Sequence, residues 1–140
     1  MKYKNPKVIE NKVTKNIEDK AKDYIVKYLK EHDGIKADDI KRKLKKGADI
    51  KIFKNGKCIK WIEAKGCNKK ETNIRITPQS LFTIAEEGGL KNYFIYFVYE
   101  MNSKKPKLVI FDYETFKKHK IIEIKYIIQP SKIKHKVIGL

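Results

Sequence analysis

The stretch GADIKIFKNGKCIKWIEAKGC, Gly47 to Cys67, decides the fold. Its apolar residues read as two strands, about Asp49 to Phe53 and Cys58 to Lys65, around Asn55-Gly56, a dipeptide strongly favoured in tight hairpins. Charged side chains stand where these strands end. Asp49 opens the first, and Glu63-Ala64-Lys65 closes the second directly before Gly66. Residues two apart in a strand share a face, so Glu63 and Lys65 point the same way, together with Trp61. A charged pair beside a tryptophan is not the pattern of a solvated strand.

Whether Asp49 joins that face depends on register. With a two-residue type I′ turn, Lys54 pairs with Lys57, Asp49 falls opposite Ile62, and the group is broken. With a three-residue loop and a left-handed Gly56, Phe53 pairs with Lys57 and Asp49 falls opposite Trp61, on the Glu63 face. The two carboxylates are then diagonal neighbours about 7–8 Å apart at Cα, close enough to hold one metal ion. A bulge elsewhere in the hairpin also restores the geometry. Two carboxylates with carbonyls and waters suit a hard cation such as Mg²⁺, with Mn²⁺ as a substitute, and Lys65 offers a point charge to a phosphate. These groups together suit phosphodiester hydrolysis.

Before the hairpin, Ile17, Ala21, Tyr24, Ile25, Tyr28 and Leu29 recur at helical intervals. They predict a helix from Asn16 to about His32, with Asn16 and Asp19 as an N-cap pair. The segment IKADDIKRKLKKG reads as a short strand or turn plus a connection. After the hairpin a shorter strand is expected at about Asn73 to Ile76. Thr77-Pro78 then opens a helix whose buried stripe is Leu81, Ile84 and Ala85 and which stops at Gly88-Gly89. NYFIYFVY is aromatic and β-branched without polar alternation, which predicts a strand buried on both faces at the centre of the sheet. A strand at Leu108 to Phe111 and a short helix capped by Asp112 follow. The fold class expected is α/β, a central mixed sheet flanked by helices, in a single domain over 1–140. Residues 113–140 form a C-terminal extension of edge strands or a dimer surface.

The 140 residues carry 34 Lys+Arg against 17 Asp+Glu, a net charge of +17, and only Arg42 and Arg75 are arginine. Half the cations therefore lack an acidic partner, which favours a polyanion, nucleic acid above all. A basic surface with no such partner is the bland alternative. The run Lys41, Arg42, Lys43, Lys45 and Lys46 immediately precedes Asp49 and is read as a DNA-contacting segment. Lys69, Lys70 and Arg75 lie just beyond the strand end and suit either a phosphate backbone or a solvated loop. No stretch resembles a signal peptide or a bilayer span, so a soluble, cytoplasmic protein is expected. Cys58 and Cys67 lack zinc or disulfide spacing, and His32, His119 and His135 are dispersed.

Asp49 followed by Glu63-Ala64-Lys65 on adjacent strands between two helices resembles the PD-(D/E)XK nuclease superfamily. The longer run GADIKI, WIEAKG, IRITPQSLFTIAEEGGLKNYFIYFVYE and KPKLVIFD is similar to a branch of it, the domain at the C-terminus of NO VEIN-type proteins, from about Glu18 to Asp112. That branch is often attached to helicase and restriction-system chains. The resemblance implies a restriction-endonuclease-like core of helix, three strands, helix and strand. It implies Asp49 and Glu63 as metal ligands and Lys65 as the catalytic lysine of a Mg²⁺-dependent deoxyribonuclease. An auxiliary carboxylate from the first helix would fall on Glu18, for which a helix-cap or surface role is the alternative. Where relatives carry an acidic residue soon after the Thr of the second helix, this chain has Ser80, and Gln79 is the nearest polar substitute. Ala48 stands where the family name has proline. Other readings are a non-cutting nucleic-acid-binding module of the same fold, a Holliday junction resolvase-like enzyme, and a basic RNA-associated protein. An endonuclease that cuts both strands would benefit from a homodimer.

Overall fold

The computed structural model describes residues 6–42, 47–69, 73–119 and 126–140. Helix α1 runs over Pro6–Glu31, strands β1, β2 and β3 over Ile40–Arg42, Ile50–Lys54 and Lys57–Gly66, and strand β4 over Ile74–Ile76. Helix α2 (Pro78–Glu86) leads into β5 (Tyr93–Tyr99) and β6 (Lys107–Asp112), followed by α3 (Tyr113–His119), β7 (Tyr126–Ile128) and β8 (Ile138–Gly139). Six strands form one mixed sheet in the order β1-β2-β3-β5-β6-β8, in which β3 and β5 are parallel and the other pairs antiparallel. This is an α/β architecture with the sheet flanked by helices, consistent with a restriction-endonuclease-like core.

Each face of the sheet carries its own apolar layer. On one, Ala21, Ile25 and Leu29 of α1 pack against Ile50, Ile52, Ile62, Ala64, Tyr96 and Val98. On the other, Leu81 and Ile84 of α2 and Phe116 of α3 pack with Trp61, Tyr93, Ile95, Phe97, Val109 and Phe111. β5 contributes to both layers, which is why its sequence lacks polar alternation.

Several local expectations hold. The Thr77 hydroxyl accepts from Ser80 N at 3.2 Å with Pro78 in the first helical position, and Asp112 Oδ1 accepts from Thr115 N at 2.7 Å. Others need correction. The first helix starts at Pro6, ten residues before the expected Asn16–Asp19 cap, because no breaker intervenes and proline suits a first turn. β4 lies outside the main sheet and pairs with β7, so the third strand of the leading meander is β1. Ala85 is exposed, since the stripe of α2 narrows to Leu81 and Ile84. In the tail, β8 pairs antiparallel with β6 at the sheet edge, while residues 120–125 lie outside the described residues.

Gly66 lets α1 cross the end of β3. A Cβ built there would stand 2.6 Å from Met101 Sδ, 2.7 Å from Ala21 Cβ and 3.1 Å from the Ile17 carbonyl oxygen. Gly66→Ala is therefore expected to destabilise the protein by about 1–3 kcal/mol through overpacking, read as a lowered midpoint of thermal unfolding.

Candidate active site

The hairpin turn has Asn55 and Gly56 at φ of 53° and 77°, both left-handed, and Lys54 pairs with Lys57. This is the two-residue type I′ turn. By itself it would have sent Asp49 to the α1 face. The register changes after Phe53↔Cys58: Ile52 pairs with Lys60, leaving Ile59 as the extra residue of a β-bulge, and Ile50 then pairs with Ile62. One step further, Asp49 comes level with Glu63. The three-residue loop is thus not formed, and the bulge performs the same correction of parity.

Asp49 lies just before β2, and its Oδ2 accepts the Ala64 amide at 2.9 Å, taking the place of a ladder carbonyl. Lys65 Nζ is 3.3 Å from Glu63 Oε1. From α1, Lys22 Nζ reaches to 3.9 Å from Asp49 Oδ1. Glu63 is the buried member, 7% exposed, and its Oε2 has no hydrogen-bond partner among the described residues. Burial, then repulsion from Asp49, push its pKa up to about 7, with Lys65 opposing the rise.

The wall of the site is fixed by the end of α2. Glu87 Oε2 accepts from Trp61 Nε1 at 2.8 Å and from Lys51 Nζ at 2.6 Å, and the Lys51 bond holds its pKa below the usual value. Gly89 sits against the indole, where a Cβ would stand 2.6 Å from Trp61 Cδ2. Glu87, Lys22 and the Tyr93 hydroxyl escaped the sequence reading. Only Tyr93 carried a signal, as a tyrosine in a strand expected to be buried on both faces, where a hydroxyl needs a partner.

The remaining sequence candidates are more dispersed. Glu18 is half-buried one turn before Lys22 and makes no hydrogen bond or ion pair among the described residues. Gln79 is exposed in the first turn of α2, where its carbonyl accepts from the Thr83 hydroxyl at 3.0 Å. Strand alternation sends Lys41 and Arg42 to opposite faces of β1, and Arg42 is bound to Asp23 of α1 at 2.7 Å, away from the carboxylates. Lys69 and Arg75 are exposed, whereas Lys43, Lys45, Lys46 and Lys70 fall outside the described residues.

The model of the family described as Protein NO VEIN, C-terminal, matches residues 17–111. The chain belongs to this family. In NO VEIN C-terminal terms the matched segment runs from the middle of α1 into β6, so it spans the bulged hairpin, Glu63-Ala64-Lys65 and α2. Comparison with curated proteins and with solved structures gives no match.

No cluster of three or more His, Cys, Asp or Glu side chains arranged to hold a metal occurs among the described residues. The donor set is a pair of carboxylates, one with a buried, unbonded oxygen. That set fits Mg²⁺, which keeps several waters and is commonly held through one or two carboxylates. It does not fit Zn²⁺, which takes nitrogen and sulfur ligands in closed tetrahedra.

The raised pKa of Glu63 makes stability depend on pH. The folded protein holds this proton more tightly than the unfolded chain, so the contribution is complete below the ordinary Glu value near 4.5 and is lost as pH rises through about 7. In EDTA, thermal stability should fall between about pH 5 and pH 8 by an amount on the order of 2 kcal/mol, and Glu63→Gln should remove this component and be the more stable protein at pH 8.

Proposed function

We propose that this protein is a metal-dependent endonuclease of PD-(D/E)XK type that hydrolyses phosphodiester bonds in DNA during restriction, repair or recombination. The observation that carries the reading is the convergence of Asp49, Glu63 and Lys65 on one sheet face, with an oxygen of the buried carboxylate left unbonded. The charge of +17 supports a polyanionic substrate. Cytoplasmic location and a homodimer belong to the same reading. Among the described residues, no helix is long and apolar enough to cross a membrane.

Asp49 and Glu63 would hold the cation. When bound, Mg²⁺ supplies Lewis-acid polarisation of a phosphate oxygen and a water of lowered pKa. Glu63 would have to shed its proton to serve as a ligand, so uptake of a cation would release protons near neutral pH. Lys65 is partly exposed beside Glu63, where its charge can meet the negative charge that builds on the phosphoryl oxygens during attack. Lys22 stands 3.9 Å from Asp49 Oδ1 on the other side, where its charge would be available to a substrate phosphate if Asp49 held a cation.

A module of the same fold that binds without cutting is the second reading. It is favoured by the lysines that already face both carboxylates, at 3.9 Å and 3.3 Å. The two readings part on Lys65→Ala. Wild type with Mg²⁺ should cleave labelled DNA in an EDTA-sensitive manner, and the variant should lose roughly 100-fold or more in rate while still shifting DNA on a native gel. Absence of EDTA-sensitive cleavage by wild type on duplex, branched and single-stranded DNA would leave only the binding module.

A further inference from the structure

Among the described residues, two side-chain polar atoms are buried without a hydrogen-bond partner: Glu63 Oε2 and the hydroxyl of Tyr93. They belong to the same place. Tyr93 opens β5, level with Trp61 and two residues back from Ile95, which is the partner of Glu63 on the neighbouring strand. Trp61 and Ile95 line the same layer as the tyrosine ring, so the side chain lies on the carboxylate face. Burial first, then the charges of Glu63 and Asp49, push the Tyr93 hydroxyl well above its ordinary pKa.

Packing alone does not account for this hydroxyl. Tyr93 is 0% exposed, and a phenylalanine would fill the same volume without the cost of burying an unpaired donor. Tyr96, on the other face of the same strand, shows the ordinary solution: its hydroxyl accepts from Lys60 Nζ at 2.6 Å. No hydrogen bond joins Tyr93 to Glu63 directly. Two unsatisfied polar groups on one face of adjacent strands are suited to share a bridging water.

We propose that Tyr93 is a positioning residue of the carboxylate site: its hydroxyl orders a water shared with the free oxygen of Glu63, and that water sets how Glu63 meets a divalent cation. The inference rests on the metal-dependent reading above and adds a residue to it. Tyr93 supplies a donor that neither ionised carboxylate can supply. Its ring packs edge-on against Tyr113, with centroids 6.3 Å apart.

The test is calorimetric titration of Mn²⁺ into wild type, Tyr93→Phe, Ile95→Val and Asp49→Asn, each with its unfolding midpoint measured in EDTA. Tyr93→Phe should bind Mn²⁺ about 10- to 100-fold more weakly, the usual loss for an outer-shell partner, with an unfolding midpoint no higher than that of wild type. Ile95→Val, which trims the same layer without touching a polar atom, should bind as wild type does. Unchanged Mn²⁺ affinity in Tyr93→Phe, alongside a raised midpoint, would mark a hydroxyl that has no partner and overturn the proposal. Equal losses in Tyr93→Phe and Ile95→Val would assign the effect to packing and overturn it as well. If wild type takes up no Mn²⁺, or Asp49→Asn binds it equally well, the metal-dependent reading itself fails and takes this inference with it.

Discussion

The carboxylate of Asp49 stands in for a strand carbonyl, accepting the Ala64 amide at 2.9 Å, and the candidate site is built around that bond. An aspartate side chain can occupy this position only if the hairpin delivers it to the right side of the sheet. The type I′ turn alone delivers it to the wrong side; the extra residue at Ile59 reverses the parity. One inserted residue near the turn thus decides what a carboxylate several positions away can touch. Ile59 itself is left 41% exposed, as expected of a residue whose contribution is spacing rather than packing.

Around this bond the two faces of the sheet divide their work. The α1 face is an apolar layer, and the crossing at Gly66 draws α1 close enough to the end of β3 for Lys22 to reach Asp49. The opposite face buries Glu63 between Trp61 and the aromatic ladder of β5, and burial there raises its pKa. A buried carboxylate with an unbonded oxygen is costly to a fold whose net stability is a small difference between large terms. Its retention is intelligible if a ligand completes it. The Trp61–Glu87–Lys51 bonds keep the wall rigid, so this strain is not relieved by letting α2 drift away.

Much of the fold was legible from side-chain periodicity and caps. The centrality of β5, the Thr77-Pro78 helix start and the Asp112 cap follow from local chemistry that nothing elsewhere in the chain contests. The convergence of Glu63 and Lys65 was legible for the same reason, since two residues apart in a strand always share a face. The position of Asp49 was not, because Asn55-Gly56 is compatible with more than one loop and a bulge leaves no distinctive residue behind at Ile59. The partnership of β4 with β7 was equally hidden, because pairing between segments about fifty residues apart depends on layers that form only in the assembled fold. Arg42 illustrates a different limit. Its position and charge are what the sequence offers, whereas its pairing with Asp23 of α1 follows from strand parity in the folded sheet.

The most direct test of the account is a crystal structure of the protein soaked in Mn²⁺, with anomalous scattering collected at the manganese edge. One anomalous peak between the carboxylates of Asp49 and Glu63 is expected, with Lys65 swung away from Glu63. An anomalous map without that peak, with Lys65 still on Glu63 and Lys22 on Asp49, would contradict it and leave the carboxylate pair as a salt-bridged end of a hairpin.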